Sequence, residues 1–162
     1  MKRFHVILII TVGSVLAFAL INKTDRPGPS LHANSLGETH AMTIYKSPTC
    51  GCCANYAAYV KARGYMVEVV DLDDMDELKR QNEIPEELYS CHTTLIDDGD
   101  YFVEGHIPLE VIDRLMEEKP AIKGIGMPGM PAASPGMLGA KAGPFQIFQV
   151  PHSGHYELYM SL

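Results

Sequence analysis

Three of the four cysteines fall within four positions, in the stretch SPTCGCC from Ser47 to Cys53. Cys50 and Cys53 have the C-x-x-C spacing of a dithiol redox pair, and the turn that carries them leads into a helical pattern. The amides and dipole at a helix start stabilise negative charge, which favours thiolate at neutral pH. Thiolate is both the nucleophile of disulfide exchange and a ligand for soft metals, so position alone does not choose between the two. Cys52 weighs toward metal. A dithiol site needs one attacking and one resolving sulfur, and a third thiol between them invites scrambling where the surroundings are oxidising. A metal site gains from it, because three sulfurs on one turn converge on a cation or bridge several. A purely structural reading stands beside both: Cys50 or Cys53 joins Cys91 as a staple.

The methionines sharpen the choice of metal. Met127, Met130 and Met137 lie in one Gly/Pro-rich stretch where no helical stripe accounts for them. Thioethers bind copper(I) and neglect zinc, calcium and magnesium, so thiolates with thioethers select copper. The plain alternative is that flexible methionines fill gaps beneath a long loop. His92 and His106 are the nearest imidazoles, and histidine suits copper in either oxidation state. On a strand Cys91 and His92 point to opposite faces, so only one reaches a shared site unless the strand begins after them; His106 is the stronger candidate. His152 and His155 fall in a terminal turn and read as solvated. The acidic run DLDDMDE lacks the glycine and closing glutamate of a calcium loop. It reads as a helix start with acidic residues at its positive end.

These residues need elements to hold them. MTIYK, Met42 to Lys46, reads as a strand that Pro48 ends, and Thr49 is placed to cap a helix whose first turn carries Cys50 to Cys53. Cys53, Tyr56, Ala57 and Val60 recur at helical spacing until Gly64. Tyr65 to Leu72 is β-branched and reads as a second strand, followed by a short acidic helix with Met75 and Leu78 on its inner face. Cys91 to Gly105 gives two strands joined around Asp98-Gly99, a hairpin signal. Leu109, Ile112, Leu115 and Met116 form the buried stripe of a further helix between Pro108 and Pro120. Lys123 to Pro144 has no regular period and reads as a long loop; Phe145 to Val150 reads as a last strand, paired back by Tyr156 to Met160. The order βαβα then ββα predicts an α/β domain over residues 42–162 with a central mixed four-stranded sheet flanked by helices. The thioredoxin-like arrangement is the familiar fold with that order.

The 162 residues suit one compact domain with extensions. With 13 Lys+Arg against 20 Asp+Glu the net charge is −7, the wrong sign for gripping phosphate backbones, so nucleic acid is excluded as a partner class. At the N-terminus Lys2, Arg3 and His5 precede an apolar run from Val6 to Ile21, which reads as an export segment over residues 1–21. Ala17-Phe18-Ala19 resembles a small-x-small cleavage site, which favours a cleaved signal over an uncleaved anchor. Residues 22–41 read as a Pro/Gly linker. The expected location is the periplasm, or the outer side of the inner membrane with only the N-terminal segment in the bilayer.

The stretches YKSPTCGCCANYAAYVKARGYMVEVVD and SCHTTLIDDGDYFVEGHIPLEVIDRLMEEKPAIKGIGMPGMPAASPGM resemble the CopG-type copper-resistance proteins, long described as a domain of unknown function. The likeness runs from Met42 to Phe148 and rests on C-x-C-C after a strand, S-C-H-T, V-E-G-H-I-P and G-M-P-x-x-S-P-G-M, in that order. It implies a thioredoxin-like fold, an envelope location and a copper site that can hold several ions. It carries Cys50, Cys52, Cys53 and Cys91 into that site, with His106, Met127 and Met137 beside them; it assigns no role to Met130 or to the tail from Pro151. Redox-active thioredoxins place a proline where this chain has YSCHTTL, which favours metal over disulfide exchange. The expected function is an exported copper-binding protein that holds copper(I), with a copper chaperone or efflux component as its exchange partner and copper redox cycling within its chemistry. The competing function is a thiol-disulfide oxidoreductase using Cys50 and Cys53.

Overall fold

The structure is a computed structural model that describes residues 40–162; residues 1–21, expected to be an export segment, and nearly all of the expected linker 22–41 lie outside the described residues. Three helices and seven strands follow one another as β1 (Ala41–Lys46), α1 (Gly51–Ala62), β2 (Met66–Asp71), α2 (Met75–Gln81), β3 (His92–Ile96), β4 (Tyr101–Glu104), α3 (Leu109–Glu118), β5 (Ile122–Gly126), β6 (Gln146–Pro151) and β7 (Glu157–Ser161). Short turns of tighter helix occupy Glu86–Leu88 and Asp97–Gly99. Among the described residues no helix is long and apolar enough to cross a membrane.

The strands form one mixed sheet in the order β2-β1-β3-β4-β5-β6-β7. β1 runs parallel to β2, with Ile44 opposite Val69, and antiparallel to β3, with Ile44 opposite Thr94. β3 and β4 make the expected hairpin, and its turn places Asp97, Asp98 and Gly99 all at positive φ, which suits the Asp-Gly signal. The predicted four strands are therefore neighbours, β2-β1-β3-β4, but the sheet does not stop there. β5, inside a segment expected to be loop, pairs parallel to β4 and offers its other edge to the β6–β7 hairpin. IKGIG hides its strand character because two glycines interrupt the β-branched residues. Gly124 is required there: a Cβ would lie 2.2 Å from the Phe102 carbonyl oxygen and 2.6 Å from Cγ of its ring.

Alternation divides the buried residues between the two faces. Val103 belongs to the main apolar cluster, with Tyr56, Ala57 and Val60 of α1 and Leu109, Ile112 and Leu115 of α3. Its neighbour Phe102 belongs to a smaller cluster with Ile84, Leu88 and Val150. Helices α1 and α3 thus pack on one face, and the chain after α2 covers the other. α3 keeps the predicted stripe and ends at Lys119 in the left-handed conformation, just before Pro120. In α2 the inner residue differs from expectation: Lys79 is the buried one, while Met75 and Leu78 are half-buried.

Replacing Gly124 by Ala forces β5 away from the Phe102 backbone, a misfit expected to cost about 3 kcal/mol. Urea unfolding of Gly124→Ala against Gly143→Ala measures it, since nothing lies within 4 Å of a Cβ at Gly143 and that variant should unfold like the parent.

Candidate metal centre

β1 ends at Lys46, and a tight turn closed by the Cys50 amide donating to the Ser47 carbonyl (3.0 Å) delivers the chain to α1. Cys50, not Thr49, occupies the N-cap, with extended backbone and no side-chain cap. Thr49 faces Ser47 instead, hydroxyl to hydroxyl at 3.4 Å. From there the 3.6-residue period turns Cys53 inward beside Tyr56 and leaves Cys50 and Cys52 half-buried. The sulfurs of Cys50 and Cys53 are bonded to each other, and Cys52 and Cys91 are free.

Cys91 arrives from the other side of the sequence. β3 begins at His92, so Cys91 precedes the strand and the alternation that would separate the two side chains does not apply. Its backbone is held through Ser90. The Ser90 amide donates to Glu104 Oε1 (2.7 Å), its carbonyl accepts from Lys79 Nζ (2.5 Å), and its hydroxyl donates to the Gly129 carbonyl (2.5 Å). Lys79 and Glu104 are themselves an ion pair at 2.7 Å, 3% and 0% exposed, and Thr93 Oγ1 donates to the second carboxylate oxygen at 2.6 Å. Burial pushes the Glu104 carboxyl up, against the pull of the Lys79 ammonium and the donors around it.

His106 follows β4 through Gly105, whose φ of +85° and crowding leave no room for a side chain: a Cβ would lie 2.7 Å from both the Met127 carbonyl oxygen and Ser90 Oγ. The imidazole is buried and donates from Nδ1 to the Pro135 carbonyl (2.7 Å). Because a carbonyl only accepts, the proton of the neutral ring sits on Nδ1. Nε2 therefore presents its lone pair to Cys91 Sγ, 3.0 Å away. Metal-binding histidines use this arrangement, with one nitrogen held by a carbonyl and the other free for the ion. His92 stands edge-on to His106 with ring centroids 4.7 Å apart, its Nδ1 3.7 Å from Cys91 Sγ. His92 Nε2 is buried and has no hydrogen-bond partner, an orphaned atom in a site otherwise well satisfied. Tyr56 packs against both rings and donates its hydroxyl to the Ile107 carbonyl (2.8 Å).

Cys52 Sγ bridges the two halves, 3.5 Å from Cys50 Sγ and 3.8 Å from Cys91 Sγ. All four sulfurs lie within 4.8 Å of one another, and Cys91 makes a second group of the same span with His92 and His106. Burial, and then the neighbouring Cys52, push the Cys91 thiol up to about 12. Burial holds both imidazoles below the ordinary histidine value, His92 well below it, with His106 and Lys79 adding to the effect on His92. The imidazoles are thus ready to ligate at neutral pH, while Cys91 gives up its proton only to a metal that replaces it.

Of the residues singled out from sequence, the structure gathers Cys50, Cys52, Cys53, Cys91 and His106, and it adds His92. Met127 is buried in the main apolar cluster just past β5, its amide donating to the Glu104 carbonyl (3.0 Å). Met137 is half-buried and follows Gly136, which lies so close to α1 that a Cβ would come 2.7 Å from the Tyr56 nitrogen and 2.9 Å from the Cys52 carbonyl oxygen. The loop backbone at Met137 is thereby laid on the cysteine turn. Met130 is exposed. His152 and His155 are exposed as expected; His152 lines a cavity of about 600 Å³ with His40, Asp97 and Tyr101, residues at the start of β1 and around the β3–β4 turn.

Two solved structures titled "Copper resistance protein copG", forms 1 and 2, are 32% identical to this chain, cover 77% of it with a TM-score of 0.70, and are themselves covered to 98–99%. The chain belongs to the CopG copper-resistance family. A family of proteins of unknown function, DUF411, also matches, over residues 88–137, a span that holds Cys91, His92, His106 and the methionine loop but not the C-x-C-C turn. No curated protein matches the chain.

Two outcomes follow for this CopG-family protein when it is assayed without added metal. Lys79→Met leaves the Glu104 carboxylate buried and unpaired and is expected to lower stability by about 3 kcal/mol in urea unfolding, with Lys79→Met/Glu104→Leu regaining a large part of it. The pH dependence follows from the imidazoles. Their folded pKa values lie below the ordinary 6.5, so below that pH the unfolded chain binds more protons than the folded one and stability falls as the pH falls. Urea midpoints measured from neutral to mildly acid pH should decline below about 6.5, and His92→Asn should flatten the decline.

Proposed function

We propose that this protein binds copper as its cargo in copper resistance, holding copper(I) between Cys thiolates and imidazole. The observation that carries this is the Cys52, Cys91 and His106 group, with Nε2 of His106 turned to Cys91 by the Pro135 carbonyl. Thiolates with imidazole suit zinc as well as copper, and the methionines of the adjoining loop favour copper(I). With Cys50 and Cys53 reduced, four sulfurs within 4.8 Å suit a cluster of several ions bridged by thiolate. The two similar solved structures are both of a copper resistance protein. The strand order β2-β1-β3-β4, with α1 between β1 and β2, supports assigning that part of the sheet to the thioredoxin-like arrangement. The same reading places the domain outside the cytoplasm behind its export segment, with a copper chaperone or efflux component as exchange partner and both copper oxidation states within reach of the mixed site.

A second reading, thiol-disulfide exchange through Cys50 and Cys53, is favoured by one observation, the bond between those two sulfurs. Anaerobic titration of the reduced full chain with copper(I), against a competing copper(I) chelator, separates the two. At least one tightly held copper per chain is expected, falling at least tenfold in affinity in Cys91→Ser, which corresponds to about 1.4 kcal/mol. Less than one copper per chain in the parent would leave the exchange enzyme as the better reading.

A further inference from the structure

Among the described residues two buried side-chain polar atoms have no hydrogen-bond partner, His92 Nε2 and Thr94 Oγ1. Both belong to β3, two positions apart, so their side chains leave the same face of the sheet about 7 Å apart at Cβ. One orphan is an imidazole nitrogen, and the other is a hydroxyl that both donates and accepts. The surroundings of Thr94 offer it nothing else. Across β1 it faces Ile44, across β4 it faces Val103, and Ile96 follows on the same face, all three fully buried. Valine has the same shape and would bury there without an unpaired oxygen, so the hydroxyl needs a reason to be present. His92 is equally short of partners. Its cross-strand neighbour Lys46 is a donor committed to Asp71 Oδ1 (2.6 Å) and the Ser47 carbonyl (3.1 Å). The Tyr56 ring packed on His92 gives its hydroxyl to the Ile107 carbonyl (2.8 Å).

The other ring nitrogen of His92, Nδ1, lies 3.7 Å from Cys91 Sγ, and His106 Nε2 lies 3.0 Å from the same sulfur. The two imidazoles thus approach one sulfur with opposite atoms. For His106 the Pro135 carbonyl decides which nitrogen is bare, and no carbonyl does this for His92. A neutral imidazole carries one proton, and the nitrogen that takes an ion is the one without it. With Nδ1 facing the ion, the proton stands on Nε2 and requires an acceptor. We propose that Thr94 is the positioning residue of His92: its hydroxyl accepts the Nε2 proton, so that Nδ1 joins Cys91 Sγ and His106 Nε2 around a copper(I) ion. This rests on the copper-binding reading above and adds a donor to it; one thiolate with two imidazoles is a set that copper takes. The two β3 atoms are not bonded to each other in this structure, and a small turn of the ring along the strand direction joins them as the ion is taken up. Thr94 itself touches no ion. It acts through His92, as the Pro135 carbonyl acts through His106.

The test uses the reduced full chain under anaerobic conditions, with copper(I) supplied against bathocuproine disulfonate as the competing chelator. Thr94→Val keeps the shape and removes the hydroxyl, whereas Thr94→Ser keeps the hydroxyl. Thr94→Val is expected to weaken copper(I) binding about tenfold, and Thr94→Ser to stay within about twofold of the parent. In a His92→Ala background Thr94→Val should change the affinity no further, because the two residues act as one. Imidazole nitrogen NMR of the copper(I)-loaded parent reads the tautomer without any variant, and His92 should carry its proton on Nε2. A proton on Nδ1, a Thr94→Val affinity equal to the parent's, a Thr94→Ser as weak as Thr94→Val, or the same loss with His92 already removed would each overturn the proposal. The parent's own titration separates the failures. If it holds at least one copper(I) per chain, only the role of Thr94 falls; if it holds none, the copper-binding reading falls and takes this inference with it.

Discussion

The ion pair between Lys79 and Glu104 is the contact on which the site depends. Both charges are shut away from water, which is tolerable only because each is surrounded by partners: Ser90 takes both, Thr93 takes the second carboxylate oxygen, and the Tyr89 ring lies 4.7 Å from the ammonium. Four pieces of chain are fastened together there, α2, the Ser90 segment, β3 and β4. Cys91 follows Ser90 directly, and His106 follows Glu104 after one glycine. A polar clasp beneath the metal-facing residues fixes where a sulfur and an imidazole stand without using either.

The second constraint acts from above. Residues Pro135 and Gly136 lie across the cysteine turn, one supplying the carbonyl that orients His106, the other passing so close to α1 that only a glycine fits. Asn55 adds a side-chain bond to the Gly136 carbonyl (3.4 Å). The site is thus a layer between a charged clasp and a loop held by backbone contacts, with the sulfurs of α1 entering from the side. Burial there raises the cost of an unmetallated thiolate at Cys91 and favours its neutral thiol until an ion arrives.

Much of this was legible in the residues, because the signals are local. The C-x-C-C turn, the β3–β4 hairpin around Asp98-Gly99 and the stripe of α3 each depend on neighbours a few positions apart, and each was found where expected. The four strands assigned to the central sheet are the adjacent ones β2-β1-β3-β4, and the C-terminal pair read over Phe145–Val150 and Tyr156–Met160 is β6 and β7. What escaped was non-local. Gly124 reads as loop until Phe102 is seen against it, and without β5 nothing in the sequence joins the C-terminal pair to the central four strands. Lys79, in a helix crowded with carboxylates, reads as a solvated charge, and nothing near it announces Glu104 as a buried partner. Strand alternation separates His92 from Cys91 only when both lie in the strand, and β3 begins at His92.

Those distances along the chain have a consequence for the order in which the molecule assembles. Cys52 and Cys91 are 39 residues apart, Cys91 and His106 are 15 apart, and His106 finds its carbonyl 29 residues further on. Each closure restricts a length of chain, and long-range closures come late in folding because little rewards them until the intervening elements are in place. The C-x-C-C turn is different, being complete within one turn of helix. A newly made chain therefore has thiols before it has a site: its first sulfurs can form bonds of their own while the imidazoles are still scattered, and the ordered ligand group is a property of the finished fold.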